Sequence, residues 1–407
     1  MKLLKLRIDG AMLYRNDRFE MDFIATDRVP RDEEGNIFDV MPVSGGTAVY
    51  TQNVIGFAGI NASGKTTGLN LIRMVLGYLT GSYVMRGFSV SSDCFGKLAD
   101  RVTVTCIFVE KGKFYLIESD IQHYLNMSDD PLATERRIAD KFAFEDEELW
   151  ELPPSKATRG TIADIDLFKS KADLLLKRNG RKDEDNVLDD ARRTFLGDDM
   201  SIVSMVTGRK LASVEGLDRA LPLVDMPTPV VQAFDASVEY LKWDSENQVF
   251  HLKFRNESME RVLSVGMAKS VLSNGTIMGC ELVQRSIETL HEGGYLIVDE
   301  METGLNRSLV GTVIGLFASP STNPKGATLL FSTHYPELFD YLRRKDNVYI
   351  LVRNENFKTE IVKYSNRIPR IENKKSDVII NNVIKGSMPK YPDVQAMRDY
   401  VCGRADE

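Results

Sequence analysis

The segment 59–66, Gly-Ile-Asn-Ala-Ser-Gly-Lys-Thr, constrains the fold more than any other part of the chain. It matches the pattern G-x-x-x-x-G-K-[ST] at every fixed position. A short apolar strand is predicted just before it, at 54–58, and apolar residues recur at helical spacing after it, from Leu69 to Leu79. A chance glycine turn with an exposed lysine is the alternative, but it would not explain both flanks. The order of strand, glycine-rich loop and helix predicts an α/β fold.

The residue types of this loop suit the binding of a phosphate chain. Glycines let the backbone curl so that successive N–H groups face a phosphate, and the following helix adds the positive end of its dipole. We expect Lys65 to reach the β- and γ-phosphates and the Thr66 hydroxyl to ligate Mg²⁺. The predicted nucleotide-binding residues are Gly59, Asn61, Ala62, Ser63, Gly64, Lys65, Thr66 and Thr67.

A second apolar strand, 295–298, ends in two carboxylates, Asp299 and Glu300. A strand that ends in solvated acids is common, so this pattern alone is equally consistent with a surface turn. Beside a phosphate-binding loop it has a chemical meaning. Asp299 is placed to hold Mg²⁺ through water, and Glu300 to orient the attacking water molecule.

The loop pattern G-x-N-x-x-G-K-T, taken with residues 299–306 (DEMETGLN), resembles ABC-class ATPases of the structural-maintenance and RecF-like branch. Within that branch the chain looks most like the ATPases of bacterial overcoming-lysogenization-defect and abortive-infection systems. Residues 304–306 match the D-loop of the family, although Asn306 stands where its members often carry histidine. The resemblance implies an ABC-type P-loop NTPase core with a mixed sheet, and ATP and Mg²⁺ as cofactors.

The family also has a signature loop of the form L-S-x-G, which residues 272–275 match. The resemblance implies that Ser273, Asn274 and Gly275 bind the γ-phosphate of an ATP molecule held by another subunit, at a helix N-terminus. A near-duplicate at 263–266 is disfavoured because too little sequence separates it from the second copy to form a long helix. A plain helix cap is the alternative for either copy.

Two further residues complete the predicted site. His334 closes the strand after the acidic one and resembles the switch histidine, whose imidazole contacts the γ-phosphate. A structural histidine is the alternative. Gln122 is the candidate for the glutamine that ligates the metal in this family, although nothing in the surrounding sequence specifies it.

Charge and periodicity divide the chain into segments. We predict an N-terminal lobe of the ATPase core at 1–121, a mostly helical insertion at 122–233, and a C-terminal lobe with its tail at 234–407. The insertion is predicted from its charge density, as in the acidic run 145–148, and from helical composition at 165–177 and 185–195.

The bulk composition limits the classes of protein to which the chain can belong. No apolar run approaches the length of a membrane span. The four cysteines are far apart and have no metal-ligand spacing, which predicts a cytoplasmic protein. A net charge of −7 gives no overall attraction to nucleic acid. Two basic stretches leave nucleic acid as a possible partner, although a solvated surface is the simpler interpretation. The first stretch is Lys169, Lys171, Lys177, Arg178, Arg181 and Lys182. The second stretch is Arg343, Arg344, Lys345, Arg367, Arg370, Lys374 and Lys375.

The resemblance further implies a head-to-tail homodimer, in which Lys65 of one copy and Ser273 of the other contact one nucleotide. A transporter subunit is disfavoured by the long segment between these two residues. No clustered acidic motif follows His334, so a nuclease activity is expected in a separately encoded effector. The predicted function is an ATPase switch of a bacterial anti-phage defence system. A DNA repair or recombination ATPase and an ATP-gated scaffold with negligible hydrolysis are the alternatives.

Overall fold

The computed structural model describes residues 1–43, 47–80, 97–126, 139–178, 200–207, 213–368 and 374–405. The strands are β1 (Lys2–Ala11), β2 (Arg18–Asp22), β3 (Val40–Pro42), β4 (Tyr50–Gln52), β5 (Val54–Ala58), β6 (Leu98–Glu110), β7 (Lys113–Asn126), β8 (Ala139–Leu152), β9 (Asp173–Arg178), β10 (Val214–Glu215), β11 (Val238–Asp244), β12 (Val249–Phe254), β13 (Arg261–Leu263), β14 (Tyr295–Val298), β15 (Thr328–Ser332), β16 (Val348–Arg353) and β17 (Thr359–Lys363). The α-helices are α1 (Lys65–Leu79), α2 (Arg159–Ala163), α3 (Ile165–Lys171), α4 (Ser204–Thr207), α5 (Thr228–Phe234), α6 (Val265–Val271), α7 (Asn274–Glu292), α8 (Arg307–Ala318), α9 (Tyr364–Arg367), α10 (Lys375–Ile380) and α11 (Tyr391–Ala405). Short 3₁₀ helices lie at Arg15–Asp17, Pro154–Lys156 and Pro336–Tyr341.

The central sheet has the strand order β10-β14-β15-β5-β16-β17. Its neighbours are parallel from β10 to β16, and β17 is antiparallel to β16, so the sheet is mixed as predicted. Strands β5, β14 and β15 are buried along their whole length, as expected for parallel strands covered on both faces. The carboxyl ends of these strands meet at one edge, which therefore collects the loops that follow them.

A second sheet is antiparallel, in the order β2-β1-β6-β7-β8-β9. Helix α1 lies between the two sheets: Leu69 and Ile72 of this helix share one buried apolar cluster with Phe57 of β5 and with Leu6 and Phe108 of the second sheet. Because α1 starts directly after the glycine-rich loop, this cluster holds the loop at the edge of the central sheet.

The prediction that 122–233 is mostly helical is wrong for the described residues, which include the end of β7 and strands β8 to β10 as well as helices α2 to α5. Strand β7 crosses the boundary at 121–122, and β8 and β9 extend the antiparallel sheet. The stretch predicted as one helix at 165–177 is helix α3 followed by β9, while 185–195 lies outside the described residues. The division of the chain into three domains stays a prediction.

The acidic run 145–148 explains this error, because a strand alternates its side chains between two faces. Within β8, Glu147 is 1% exposed, and its neighbours Asp146 and Glu148 point the other way. The Glu147 carboxylate accepts hydrogen bonds from Ser119 Oγ at 3.0 Å and from the N–H of Ile202 at 2.9 Å. A charge-rich composition therefore hides a half-buried strand.

The third sheet, β11-β12-β13, packs against helices α5, α6 and α7 around its own apolar cluster. The strands predicted at 238–243 and 249–254, and the helix predicted at 276–292, are confirmed with small changes at their ends. Helix α7 leads from this cluster into β14 of the central sheet.

The C-terminal basic stretch is only partly solvated surface. The Arg344 side chain is 5% exposed and pairs with the fully buried Asp346 at 2.6 Å, so this arginine is structural. Arg343 lies over the ring of Phe38, 3.5 Å from its centroid. Arg181, Lys182 and Arg370 lie outside the described residues. Across the described ranges, the helices are too short or too polar to cross a bilayer.

Candidate functional site

The glycine-rich loop leaves β5 at the edge where the parallel strands end. Gly59 and Gly64 have φ of +150° and +96°, in the region that favours glycine. A Cβ atom on Gly59 would lie 2.5 Å from the carbonyl oxygen of Leu351, so a side chain cannot fit there. Ala62 also has a positive φ, +58°, which costs backbone energy in a residue with a side chain. The loop thus has the curled backbone that the sequence pattern predicts.

A cavity of about 450 Å³ opens over this loop. It is lined by Leu13, Asn61, Ala62, Ser63, Gly64, Lys65, Thr66, Thr67, Asn70, Lys97, Asp299, Glu300, His334 and Arg353. The cavity therefore brings together predicted residues from the glycine-rich loop, from the end of β14 and from the segment after β15.

Lys65 is held against the loop from which it comes. Its Nζ donates to the carbonyl oxygens of Gly59 at 2.8 Å and Ile60 at 3.1 Å. The side chain is largely buried, and burial lowers the pKa of Lys65, while the carboxylate of Asp299 acts in the opposite direction. An ammonium group at the start of the helix that follows a glycine-rich loop suits a phosphate chain, because both it and the N–H groups of such a loop are hydrogen-bond donors.

Two of the three predicted metal ligands lie in direct contact. Thr66 Oγ1 donates to Asp299 Oδ2 at 2.6 Å, and Ser332 Oγ donates to Asp299 Oδ1. A hydroxyl and a carboxylate are the oxygen ligands that Mg²⁺ prefers, together with water and phosphate oxygens. No cluster of three or more acidic, histidine or cysteine side chains able to hold a metal occurs among the described residues. The hydroxyl of Thr66 and the carboxylate of Asp299 fit a cation whose other ligands are phosphate oxygens and water.

Glu300 and His334 face each other across the cavity. Their nearest atoms, Glu300 Oε1 and His334 Nε2, are 3.8 Å apart, and both side chains are partly exposed, at 46% and 33%. Glu300 has φ of +49°, and its N–H donates to Ser332 Oγ at 2.8 Å. This strained backbone directs the carboxylate away from β14 and into the cavity.

The position of His334 depends on a residue that the sequence did not single out. The buried carboxylate of Glu302 accepts a hydrogen bond from the backbone N–H of His334 at 2.6 Å. Ser332 was also not among the predicted site residues. Its hydroxyl donates to the Asp299 carboxylate and accepts from the N–H of Glu300. Its place at the end of a strand, next to Thr333 and His334, was the available sequence signal.

The signature-like residues 273–275 are not in this cavity. Ser273 caps helix α7, and its Oγ accepts from the N–H of Thr276 at 3.0 Å. A Cβ atom on Gly275 would lie 2.6 Å from the carbonyl oxygen of Gly304, so the start of α7 packs directly on the loop after β14. The near-duplicate Ser264 caps only the short helix α6.

Gln122 is also outside the cavity. It lies in β7, opposite Arg101 of β6 and Ala143 of β8. The structure therefore does not bring it to Thr66 and Asp299, and its assignment as a metal ligand gains no support from the fold.

Leu13, Asn70, Lys97 and Arg353 line the cavity although no motif contains them. Lys97 Nζ donates to Thr67 Oγ1 at 3.2 Å, which adds a second cation beside the start of α1. Arg353 Nε donates to the carbonyl oxygen of Ala62 at 3.0 Å. Asn70 lies in α1, directly after the loop. Only the packing of distant segments brings Leu13, Lys97 and Arg353 to the loop, so local sequence carries no signal for these three.

Comparison with known proteins identifies no family for this chain. No protein-family model and no curated protein matches it. Among solved structures it is similar to the SMC head domain from Thermotoga maritima, with 13% sequence identity and a TM-score of 0.40. That likeness covers 89% of this chain and 99% of the other. A likeness of this strength carries no information about activity.

Proposed function

We propose that the protein binds and hydrolyses MgATP as an ABC-type ATPase. The observation that carries this proposal is the meeting of Lys65, Thr66, Asp299, Glu300 and His334 around one cavity. These residues are distant in sequence, and each belongs to a motif with its own chemical reason to be there. A chance glycine turn would not gather the other residues around it.

Each residue has a role that its contacts support. Lys65 binds the β- and γ-phosphates together with the loop N–H groups. Thr66 and Asp299 hold Mg²⁺, which neutralises charge that develops on the phosphates. Glu300 orients a water molecule in line with the γ-phosphate, and His334 donates to that phosphate, which makes its position sensitive to hydrolysis.

The proposed site is half of a composite one. Ser273 caps α7, Asn274 and Gly275 begin it, and none of the three lines the chain's own cavity, so a second copy is proposed to supply them head to tail. ATP would then hold two copies together, and hydrolysis would release them. Such a dimer is a switch because the nucleotide binds one state better than the other.

The biological setting is proposed from the resemblance of the motifs. We infer that the switch belongs to a cytoplasmic bacterial anti-phage system and controls a separately encoded effector, such as a nuclease. A DNA repair or recombination ATPase is the second candidate, which DNA-stimulated turnover would favour. The basic residues Lys169 and Lys171 keep that candidate open, although Lys169 already pairs with Glu118 at 2.8 Å.

The test measures the ATP turnover and the oligomeric state of three proteins. They are the wild type, Glu300→Gln and the control variant Glu337→Gln. Glu337 is 40% exposed, similar to Glu300, but pairs with Arg307 outside the cavity. We expect Glu300→Gln to lower kcat by about 100-fold or more, as for loss of a water-positioning group, and to accumulate as an ATP-bound dimer. A wild type without turnover that still dimerises on ATP would support the scaffold alternative instead. Equal turnover of Glu300→Gln and the control would refute the catalytic role of Glu300.

A further inference from the structure

Three consecutive carbonyl groups of the glycine-rich loop, those of Ala62, Ser63 and Gly64, are each bound by a side chain from elsewhere in the fold. Arg353 donates to Ala62 O through Nε at 3.0 Å and through Nη2. Thr359 Oγ1 donates to Ser63 O at 2.8 Å. Tyr14 donates its hydroxyl to Gly64 O at 3.0 Å.

These three side chains belong to two tips that are themselves joined. Arg353 and Thr359 flank the turn between β16 and β17, and Tyr14 lies in the turn between β1 and β2. The N–H of Thr359 donates to Leu13 O at 2.9 Å. Lys358 Nζ donates to Asp17 Oδ1 at 2.8 Å. We call these two joined tips the outer clamp; its residues are 12–17 and 353–359.

The clamp acts on the N–H groups through the geometry of the peptide bond. In a trans peptide the C=O of one residue and the N–H of the next point in opposite directions. A carbonyl tied to the outer side therefore turns the following N–H inward, toward the cavity. The bond to Ser63 O turns the N–H of Gly64 in this way, and Tyr14 adds a second donor to Gly64 O, which also accepts from the N–H of Gly68 in the first turn of α1. The bond to Ala62 O also holds the one residue of the loop that has a positive φ and a side chain.

We infer that Arg353, Thr359 and Tyr14 are positioning residues, which set the glycine-rich loop in its phosphate-binding form before the nucleotide arrives. This inference rests on the proposed function, because it names the residues that prepare the same site. Thr359 and Tyr14 are each 1% exposed. When the donor of a buried hydrogen bond is removed, water cannot take its place, so the carbonyl oxygen is left without that partner. The hairpin of β16 and β17 thereby controls nucleotide affinity through the backbone of the loop.

The test compares Arg353→Gln, Thr359→Val and Tyr14→Phe. Thr359→Val and Tyr14→Phe each remove one donor with a small change in volume, whereas Arg353→Gln also shortens the side chain, removes its charge and removes a hydrogen bond to Phe357 O. Arg367→Gln is the control, since Arg367 carries the same charge near the same hairpin but pairs with Glu360 at 3.6 Å. Calorimetry gives the Kd for MgADP and for a non-hydrolysable ATP analogue. We expect a Kd about 3- to 10-fold higher in each clamp variant, as for loss of one hydrogen bond, and no change in the control.

Two further readouts separate positioning from direct contact and from simple destabilisation. Both nucleotides should weaken equally, because ADP and ATP share the β-phosphate that the loop N–H groups hold. At saturating ATP the kcat should stay at the wild-type value while KM rises, since ground and transition states lose the same binding. Loss of ATP-analogue binding alone would mean that Arg353 contacts the γ-phosphate directly, and would overturn the inference.

Wild-type Kd values in Arg353→Gln and Thr359→Val would also overturn it. If Arg353→Gln fails to fold, Thr359→Val decides, because valine keeps the shape of threonine in its buried position. A wild-type protein that binds neither nucleotide would refute the proposed function itself. A wild-type protein that binds nucleotide, together with clamp variants that bind it equally well, would refute only the role of the clamp.

Discussion

Replacement of Gly275 by alanine tests the structural basis of the composite site. Its Cβ atom would lie 2.6 Å from Gly304 O, so the start of α7 or the Gly304 loop must move by at least 0.4 Å to reach the shortest distance that real Cβ contacts keep, 3.0 Å. Overpacking of this kind costs about 1–3 kcal/mol. Alanine in a helix returns about 0.5–1 kcal/mol relative to glycine. We therefore expect a net loss of about 0–2.5 kcal/mol in the free energy of unfolding.

Gly266 supplies the matched control. It holds the same place in α6 that Gly275 holds in α7, as the second residue after a capping serine, and an added Cβ would have no atom within 4 Å. Gly266→Ala should therefore raise the stability by about 0.5–1 kcal/mol. The difference between the two variants isolates the contact with Gly304. Urea denaturation measures it, and equal midpoints for both variants would refute the reasoning.

The same pair of variants tests the head-to-tail arrangement. Gly275→Ala should retain the wild-type Kd for MgADP, because residue 275 is outside the chain's own cavity, but should lose ATP turnover. Mixed with inactive Lys65→Ala, it should regain turnover, since one of the two sites then combines an intact Lys65 with an intact Gly275. If the mixture is as inactive as each variant alone, the site is not shared between copies. As the control, Gly266→Ala should hydrolyse ATP at the wild-type rate.

Three other outcomes follow from named contacts. Glu147→Ala leaves Arg178 buried without its partner and should lower the free energy of unfolding by about 3–5 kcal/mol in urea denaturation; a loss below 1 kcal/mol would contradict the buried pairing. Burial raises the pKa of Asp346, but hydrogen bonding and the charge of Arg344 outweigh it and leave the pKa below 3.8. This carboxylate therefore stabilises the fold above the pKa that it has in the unfolded chain, and this stabilisation is lost as the pH falls through its folded pKa. An Asp346→Asn variant with an unchanged acid-denaturation profile would refute that role. Asp299→Asn should raise the Kd for ATP in Mg²⁺ but not in excess chelator, and an equal loss in both conditions would mean that Asp299 does not act through the metal.

Local sequence was sufficient wherever a short pattern and its chemistry coincide. The strands around 54–58 and 295–298 are continuous apolar runs, and the loop and the carboxylates follow them directly. Parallel strands present their carboxyl ends at one edge, so the meeting of Lys65 with Asp299 follows from the fold class. Thr66 and Asp299 were predicted as partners on one metal and lie 2.6 Å apart.

Local sequence failed where a residue's surroundings come from distant segments. The run 145–148 has the composition of a charged helix, but pairing of β8 with β7 buries Glu147 and exposes its neighbours. Gln122 was predicted from the order of the motifs, and it lies in β7 opposite Arg101 and Ala143, outside the lining of the cavity. In both cases the pairing partner, which local pattern does not specify, decided the outcome.

What the amino-acid sequence determined is thus the set of groups that would bind a phosphate chain, because glycine-rich curvature, an ammonium group and paired carboxylates are properties of short segments. What only the tertiary structure decided is how those groups are supported. Glu302 reaches the N–H of His334, and Arg353, Thr359 and Tyr14 reach carbonyl groups of the loop, across long separations in sequence. Most of these contacts depend on which strands are neighbours in the central sheet, and the contact of Tyr14 depends on the packing of the second sheet against it. No local periodicity encodes either.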